Sequence, residues 1–429
     1  MAKINTAPFF YELLYLLGLL IYLPKGLWRR RLPHRGWSMR LGRYPAEVLA
    51  KLRGPDPVWI HAVSVGEVLA LRPLVRALRQ ASPAIPLVLS TVTAGGFEVA
   101  SKTFGGEVVP IYWPLDLGGC ARRALEAVHP RALLLTESEL WPTVLRQANA
   151  RRIPVAVING RLSPRAFRRY RLAPAWTASV LAQVDLLLMQ HQDDADRLLA
   201  LGAPKDRVRV AGNLKWEASL DTRPSPEAVQ ATAARIAARE ADLILIGGST
   251  HRGEEAALLS AWQRLRKTYP TLRLILAPRH LERLDEVEHL ARRRQAGVAR
   301  LSDHAPRAWD IGLVDTFGRL PEFYALSTVV FVGGSLIPHG GQNPLEAAGL
   351  GKPVVFGPSM HNFEAIAQAL LEHQAARPLA GTADLARVVG ELFADRAQAE
   401  AMGRRAQQLV EASRGTTQRL LDSLRPLLA

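Results

Sequence analysis

The sequence contains a single cysteine, Cys120, among its 429 residues. A lone thiol excludes a disulfide framework and any metal site built from several thiolates. This scarcity is compatible with a reducing compartment. No motif surrounds Cys120, so we interpret it as an inert side chain rather than a reactive one.

Acidic residues are also scarce relative to basic ones. The chain has 55 Lys and Arg against 39 Asp and Glu, which gives a formal charge of +16. Such an excess indicates a negatively charged partner or surface. The sequence has no zinc-finger spacing, no RNP-type strand and no basic region with heptads, so we expect no nucleic-acid partner. No G-x-G-x-x-G motif follows the first strand, which disfavours a nicotinamide-dependent dehydrogenase.

One nearly continuous apolar stretch stands near the N-terminus, from Ala7 to Leu23, interrupted by Glu12 and Gly18. Its length is at the lower limit for a membrane span. The basic residues after it predict that the rest of the chain lies on the cytoplasmic side of the inner membrane. We therefore predict that residues 1–24 anchor the chain to an anionic inner-leaflet surface. The pattern leaves open whether this segment spans the bilayer, lies in its interface or packs as a helix of the first domain.

Beyond this stretch, short apolar runs alternate with amphipathic ones in the manner of βαβ units. Buried strands are expected at runs such as Val58–Val63, Ala132–Leu135 and Val329–Val332. A segment rich in turn-forming residues, 219–226, separates two sets of such runs and predicts a linker. The sequence thus predicts an α/β protein with two Rossmann-like, doubly wound domains, residues 25–218 and 227–429, that face a cleft.

Two glutamates follow strands of the first domain, Glu67 after Val58–Val63 and Glu137 after Ala132–Leu135. Open parallel sheets bind ligands beyond the carboxyl ends of their strands, and buried carboxylates are costly unless they are paired or used. These positions predict a general base and a supporting group. From the residues alone, Glu67 also suits a structural role, as an acid that stabilises the N-terminus of the following helix.

Four strand-end segments of the second domain carry glycines or polar groups that suit an anionic ligand. Arg279 is placed to bind a phosphate or carboxylate, and the alternative is a solvated surface arginine. Asn343 predicts an N-cap and Pro344 the first helical residue, while Glu346 suits either a cap or a ribose diol. The candidate ligand-binding residues are Ser249, Thr250, Pro278, Arg279, Phe317, Gly318, Arg319, Asn343, Pro344, Leu345 and Glu346.

The His, Asp and Glu residues show no metal-ligand spacing, and cationic side chains remove the need for a divalent ion. We therefore expect no metal and no other cofactor. His61, His251, His280 and His339 are scattered along the chain and are interpreted as polar loop groups.

A series of motifs runs from about Leu41 to Phe363: HAVSVGE, LTESELWP, INGRLS, GNLKWE, GGST, APRH, GGSL and GGQNPLEA. This series resembles the 3-deoxy-D-manno-oct-2-ulosonic acid (Kdo) transferases. The resemblance implies a glycosyltransferase-B fold and an inverting, metal-independent transfer of Kdo from CMP-Kdo to a tetraacyl lipid A precursor, lipid IVA. It also implies that the acceptor binds mainly to the first domain and the CMP-sugar mainly to the second.

The resemblance further implies roles for individual positions. Glu67 is expected to be the general base, and Glu137 and Lys215 are expected to stabilise the transition state. CMP contacts are expected at Pro278 and Arg279, at Phe317, Gly318 and Arg319, and at Asn343 to Glu346. Arg319 departs from the family, where the turn often reads Gly-Glu, so a backbone contact is expected there rather than a side-chain one.

Other functions remain open from the residues alone. One is a different nucleotide-sugar glycosyltransferase, such as a UDP-dependent enzyme acting on a polyprenyl carrier. Another is a membrane-tethered nucleotide-sugar binding protein without transferase activity. The number of Kdo residues added and the oligomeric state are not fixed by the sequence. An arginine-rich stretch after Gly160 suits either lipid phosphates or a solvated helix face; it comprises Arg161, Arg165, Arg168, Arg169 and Arg171.

Overall fold

The computed structural model describes residues 7–28, 36–137, 139–239, 241–302 and 309–428, which form two compact α/β units. Unit 1 runs to Ala218 and also includes the chain from Gly415 onward, whereas unit 2 is Ser219–Arg414. Each unit contains a seven-stranded sheet in which all paired strands are parallel.

The sheet of unit 1 has the strand order β3-β2-β1-β4-β5-β6-β7. Trp59 and Leu133 belong to one buried cluster, and the next residues along each strand, Ile60 and Leu134, belong to another. Because both faces are covered, these strands appear in the sequence as continuous apolar runs. The strands are β1 (Val58–His61), β2 (Leu87–Thr91), β3 (Val109–Tyr112), β4 (Ala132–Thr136), β5 (Val155–Gly160), β6 (Leu186–Met189) and β7 (Val208–Val210).

Helices connect these strands, and several begin at the side-chain caps that the sequence provides. Ser64, Thr93 and Ser163 each accept a hydrogen bond from a backbone N–H of the helix that follows. The helices before the linker are α1 (Ala7–Trp28), α2 (Trp37–Arg40), α3 (Ala46–Ala50), α4 (Val65–Ala70), α5 (Arg72–Ala81), α6 (Ala94–Thr103), α7 (Gly118–Val128), α8 (Pro142–Ala150), α9 (Pro164–Tyr170), α10 (Pro174–Leu181), α11 (Gln192–Ala200) and α12 (Leu214–Ala218).

The sheet of unit 2 has the order β10-β11-β9-β8-β12-β13-β14. Its strands are β8 (Ile244–Thr250), β9 (Arg273–Pro278), β10 (Val298–Arg300), β11 (Ile311–Leu313), β12 (Val329–Val332), β13 (Val354–Phe356) and β14 (Arg377–Pro378). Its helices are α13 (Pro226–Arg235), α14 (Glu254–Leu265), α15 (Leu284–Arg292), α16 (Leu320–Leu326), α17 (Leu345–Gly349), α18 (Glu364–Glu372), α19 (Leu385–Ala394) and α20 (Arg396–Glu411).

The last helix, α21 (Thr416–Leu428), packs with unit 1, whereas the sequence interpretation placed it in the second domain. Leu420 and Leu424 are fully buried in an apolar cluster that also contains Leu74 of α5. Glu217 at the end of unit 1 accepts hydrogen bonds from the backbone N–H groups of Gly415 (2.8 Å) and Thr417 (2.6 Å). Apolar burial and this cap together assign the closing helix to unit 1.

The N-terminal apolar stretch forms helix α1. Within the part of the chain that the structure describes, no helix combines the length and apolar character needed to cross a membrane.

Candidate active site

Each sheet reverses its strand order at one place, and several candidate residues follow the strands on either side of that place. In unit 1 the reversal lies between the neighbouring strands β1 and β4, which Glu67 and Glu137 follow. In unit 2 it lies between β8, which ends with Ser249 and Thr250, and β12, which a glycine loop at residues 333–336 follows. Such a switch point is where open α/β sheets bind ligands.

Glu67 is held by three hydrogen bonds at the start of α4. Its Oε2 accepts from the backbone N–H of Val63 (2.8 Å) and from the hydroxyl of Thr136 (2.9 Å). Its Oε1 accepts from the hydroxyl of Ser64 (2.7 Å), the residue that caps α4. The predicted structural role at the helix start is therefore present, and the bond from Thr136 also ties Glu67 to the end of β4.

The environment of Glu67 makes its carboxylate a better proton acceptor than an ordinary glutamate. Burial is the largest influence and raises the pKa of Glu67, and the charge of Glu137 raises it further. The three hydrogen-bond donors act in the opposite direction without cancelling these effects. The side chain is thus suited to general-base chemistry.

Glu137 and Lys215, the other two residues predicted to take part in the reaction, form an ion pair with each other. The Oε1 atom of Glu137 lies 2.6 Å from Nζ of Lys215, and about three-quarters of each side chain is shielded from solvent. Glu137 has a positive φ of 55°, and its backbone N–H is bound to the carbonyl of Ile158. This left-handed conformation at the end of β4 is uncommon outside glycine and is typical of a constrained functional position.

A buried amide network that sequence reasoning missed fixes the helix that carries Lys215. Asn159 Oδ1 accepts from the N–H of Leu214, and Asn213 Oδ1 accepts from the N–H of Lys215, both at 2.9 Å. Gln190 links the two asparagines by accepting from Asn213 and donating to the carbonyl of Asn159. The asparagines stand in the INGRLS and GNLKWE motifs, so the motifs were the available signal.

Glu139 is a third carboxylate at this edge of the sheet. Burial raises the pKa of Glu139 to about 7, and the charges of Glu67 and Glu137 contribute in the same direction. Sequence reasoning quoted this residue within a motif and gave it no role.

In unit 2, a buried glutamate that sequence reasoning also missed organises the glycine loop after β12. Glu254 accepts from the N–H groups of Gly334 (2.7 Å), Ser335 (3.0 Å) and Leu336 (3.0 Å), and from that of His251 (2.9 Å). Its side chain is fully buried at the first turn of α14. These backbone donors therefore bind an internal carboxylate.

We expect Glu254→Gln to loosen this loop and destabilise unit 2 by about 3 kcal/mol, because the amide nitrogen of glutamine cannot accept from backbone donors. Hydrogen–deuterium exchange of the amides at residues 333–336 should accelerate, and the urea midpoint of unit 2 should fall. Glu400→Gln, at an exposed pair with Arg404 in the same unit, is the control and should leave both unchanged. Unchanged exchange in Glu254→Gln would contradict this assignment.

Ser249 and Thr250, which the sequence analysis placed beyond the strand, are the last two residues of β8, where the register with β9 shifts. Ser249 has a positive φ of 52°, whereas Thr250 is fully buried and its hydroxyl donates to Glu255 (3.1 Å). The Thr250 side chain is thus occupied within unit 2. Its carbonyl accepts from the N–H of Arg279, so this end of β8 lies beside the Pro278–Arg279 segment. Pro278 is buried, whereas Arg279 is exposed and forms no ion pair within the described residues.

Three histidines from separate motifs meet beside Arg279. The ring centroid of His251 lies 4.1 Å from that of His339 and 5.7 Å from that of His280. Burial and then the charges of the neighbouring His339, His280 and Arg279 lower the pKa of His251 to about 4. His251 is therefore neutral at pH 7. The sequence interpretation treated these histidines as scattered because they are far apart along the chain.

At the Phe317–Arg319 turn, the exposed side chain is the ring of Phe317, whereas the guanidinium of Arg319 is bound within unit 2. Phe317 is 73% exposed, and Gly318 has a φ of 81° that favours glycine. The Arg319 guanidinium donates to Glu322 (2.6 Å) and to the hydroxyl of Thr232 (2.7 Å). This side chain therefore has a structural role, in keeping with the expectation that only the backbone contacts a ligand there.

The Asn343–Glu346 segment begins a helix one residue later than predicted. Asn343 Oδ1 accepts from the N–H of Leu345 (3.1 Å), and Pro344 occupies the cap position of α17 in place of the first helical position. Leu345 is fully buried, and its side chain is packed away from solvent. Glu346 is half-buried near Tyr324, whose pKa is raised by burial and by the charge of Glu346. Within the described residues, no three His, Cys, Asp or Glu side chains are arranged so that they could hold a metal ion.

Solved structures identify the class of fold. A UDP-GlcNAc 2-epimerase from Neisseria meningitidis bound to UDP-GlcNAc matches with a TM-score of 0.57 and 16% identity, over 85% of this chain and all of its own. A putative UDP-N-acetylglucosamine 2-epimerase from Listeria monocytogenes gives 0.57 and 15%, over 87% and 96%. At these identities the similarity concerns the fold alone. The predicted fold class, two Rossmann-like domains of the glycosyltransferase-B type, is confirmed.

Sequence relatives identify the family. Residues 35–218 match the model of the 3-deoxy-D-manno-octulosonic-acid transferase (kdotransferase) family. The chain is 35% identical to the 3-deoxy-D-manno-octulosonic acid transferase of Haemophilus influenzae over 378 residues, covering 87% of this chain and 88% of that protein. It is 34% identical to that of Bordetella pertussis over 421 residues, covering 93% and 94%. The chain belongs to the Kdo transferase family and is a glycosyltransferase, as the motifs predicted.

Proposed function

We propose that the enzyme transfers Kdo from CMP-Kdo to a lipid A precursor, lipid IVA, with inversion at the anomeric carbon. One observation supports this most strongly: a buried carboxylate of raised pKa, Glu67, follows β1 next to the strand that leads to the Glu137–Lys215 pair. Family membership supports the choice of Kdo as the transferred sugar.

The proposed reaction is a single displacement. A hydroxyl oxygen of the acceptor attacks the anomeric carbon of Kdo, while the bond from that carbon to the phosphate oxygen breaks and CMP leaves. The hydroxyl proton passes to the Glu67 carboxylate, a step worth about 10²–10⁴-fold in rate. Lys215, held by Glu137 at 2.6 Å, stabilises negative charge that develops in the transition state.

The donor is assigned to unit 2. Arg279 offers an exposed guanidinium for a phosphate or carboxylate, and the exposed ring of Phe317 offers a surface for stacking of a base. The proposed CMP-Kdo contacts also include the backbone of Gly318 and Arg319, the start of α17, and the Ser249–Thr250 end of β8. Because Arg279 and Lys215 supply positive charge, we propose that the transfer needs no metal ion.

We also propose that the enzyme works at the cytoplasmic face of the inner membrane, where such an acylated acceptor resides. On α1, the exposed apolar side chains are Leu13, Leu14, Leu16, Leu17, Leu20 and Ile21. Leu172, 85% exposed, follows the arginine-rich helix α9. Apolar and cationic side chains together favour an anionic lipid surface.

The decisive experiment is mass spectrometry of lipid IVA after incubation with CMP-Kdo and the purified chain. We expect a mass increase of one or more Kdo residues, which identifies donor, acceptor and number of additions together. Parallel reactions with UDP-sugars test the alternative of another nucleotide-sugar donor. CMP binding without any product would instead indicate a non-catalytic binding protein and would refute the proposal.

A further inference from the structure

Helix α1 has two different faces along its described side chains. Tyr11, Glu12, Tyr15 and Leu19 are half-buried. The side chains with 42–68% exposure are Leu13, Leu14, Leu16, Leu17, Leu20 and Ile21. The exposed face is the one that our proposed function assigns to the lipid surface. The other face makes specific polar contacts within unit 1.

Tyr11 reaches a buried carboxylate that caps another helix. Its hydroxyl donates to Oδ2 of Asp116 at 2.7 Å, and Asp116 is fully buried. The same carboxylate accepts from the N–H groups of Val144 (2.8 Å) and Thr143 (3.2 Å) in the first turn of α8. Trp141, which precedes α8, provides no side-chain cap, so Asp116 satisfies these free helix donors from a distant part of the chain.

Glu12 reinforces the same attachment. Its Oε1 lies 2.6 Å from Nη2 of Arg146, also on α8, and its Oε2 accepts from the N–H of Gly118 (3.3 Å), the first residue of α7. A carboxylate is favourable at a helix N-terminus. The ring of Tyr11 also stacks against Trp176 of α10, with centroids 6.0 Å apart.

The first turn of α8 directly follows residues 139–141, a loop segment beside the candidate active site. This segment includes Glu139, whose pKa is raised by burial and by the charges of Glu67 and Glu137. The ring of Trp141 lies 6.0 Å from that of His61 at the end of β1. Residues 139–141, which adjoin the first turn of α8 along the chain, therefore lie close to the strand ends that carry the candidate catalytic residues.

We propose that α1 is a positioning element of the active site as well as a membrane-contact helix. Tyr11 and Glu12 act through Asp116 and Arg146 to hold the first turn of α8, and so the position of residues 139–141. This inference rests on the proposed function, because that proposal makes Glu67 and Glu137, which residues 139–141 adjoin, catalytic residues. Tyr11 and Glu12 are positioning residues and contact no substrate.

The test compares the two faces of α1 in the full-length chain, assayed in detergent micelles and on vesicles containing anionic phospholipid. In micelles we expect Tyr11→Phe and Glu12→Gln each to lower kcat roughly three- to tenfold, with little change in the KM for CMP-Kdo. The matched control Glu98→Gln, at an exposed helical ion pair with Lys102 in the same unit, should keep the kcat of the wild type in micelles. Leu14→Ser and Leu17→Ser, on the exposed face of α1, test the lipid contact separately and should bind the vesicles more weakly.

Amide exchange gives a readout that does not require turnover. We expect Thr143 and Val144 to exchange faster in Tyr11→Phe than in the wild type, with the thermal midpoint of the chain nearly unchanged. Wild-type kcat in micelles together with wild-type exchange at these two amides would overturn the inference. If the wild-type chain transfers no Kdo at all, the proposed function fails, and unchanged exchange would still refute the contact through Asp116.

Discussion

Glu67→Gln should lower the transfer rate by at least about 100-fold while leaving the affinity for CMP unchanged. Glutamine fits the site because two of the three donors to Glu67 are the hydroxyls of Ser64 and Thr136, which can rotate to accept from the amide. CMP affinity should survive because its proposed contacts lie in unit 2. The measurement is kcat for Kdo transfer, with CMP binding followed by calorimetry.

Stability provides an internal check on this variant. Since the pKa of Glu67 is raised above its usual 4.5, folding favours the neutral carboxyl, and the ionised form costs stability at pH 7. Glu67→Gln should therefore be at least as stable as the wild type at neutral pH. In the wild type, activity should fall as pH decreases through this raised pKa, because the base becomes protonated.

The matched control is Glu47→Gln, an exposed glutamate in the first turn of α3. It carries the same substitution at the same kind of helix position, and it should keep full activity. A Glu67→Gln enzyme with wild-type kcat would show that this carboxylate serves only as a helix cap. Loss of CMP binding together with activity would point to a folding defect.

Lys215→Met should reduce kcat by about 100- to 1,000-fold, the range seen when one preorganised donor to a developing charge is removed. Methionine keeps much of the length of the side chain and removes the ammonium group that lies 2.6 Å from Glu137. The KM for the acceptor should change far less than kcat, because the charge develops in the transition state.

A double-mutant cycle with Glu137→Gln tests whether the pair works as a unit. If Glu137 acts by holding Lys215, the double variant should be about as slow as Lys215→Met alone, and the two effects should not add. Lys205→Met, at an exposed lysine, is the matched control and should leave kcat unchanged. Full additivity of the two effects would assign Glu137 a role independent of Lys215.

The strand-end residues could be predicted because their signal is local. A run of apolar residues covered on both faces indicates a buried parallel strand, so the positions of Glu67 and Glu137 after β1 and β4 follow from the sequence. The ion pair between Glu137 and Lys215 joins residues 78 positions apart along the chain. The family resemblance predicted the same role for both residues. Their spacing along the chain did not predict that they contact each other.

The missed residues act through contacts that only the folded chain creates. Glu254 looks like an ordinary first-turn acid in sequence, yet it binds N–H groups about 80 residues away. Asp116 likewise caps α8 from the segment after β3. The one-residue error at Pro344 arose because Asn343 forms its side-chain bond two residues ahead, to Leu345, which shifts the start of α17.

The return of α21 to unit 1 has a consequence for how the protein is made. The apolar surface that Leu420 and Leu424 cover belongs to unit 1, yet these residues are translated after all of unit 2. During synthesis, most of unit 1 leaves the ribosome without its closing helix, because the nearly two hundred residues of unit 2 are translated before that helix. A shortened gene that stops at Ala218 would produce the same incomplete core permanently, so an isolated unit 1 should be expressed with residues 415–428 joined back to it.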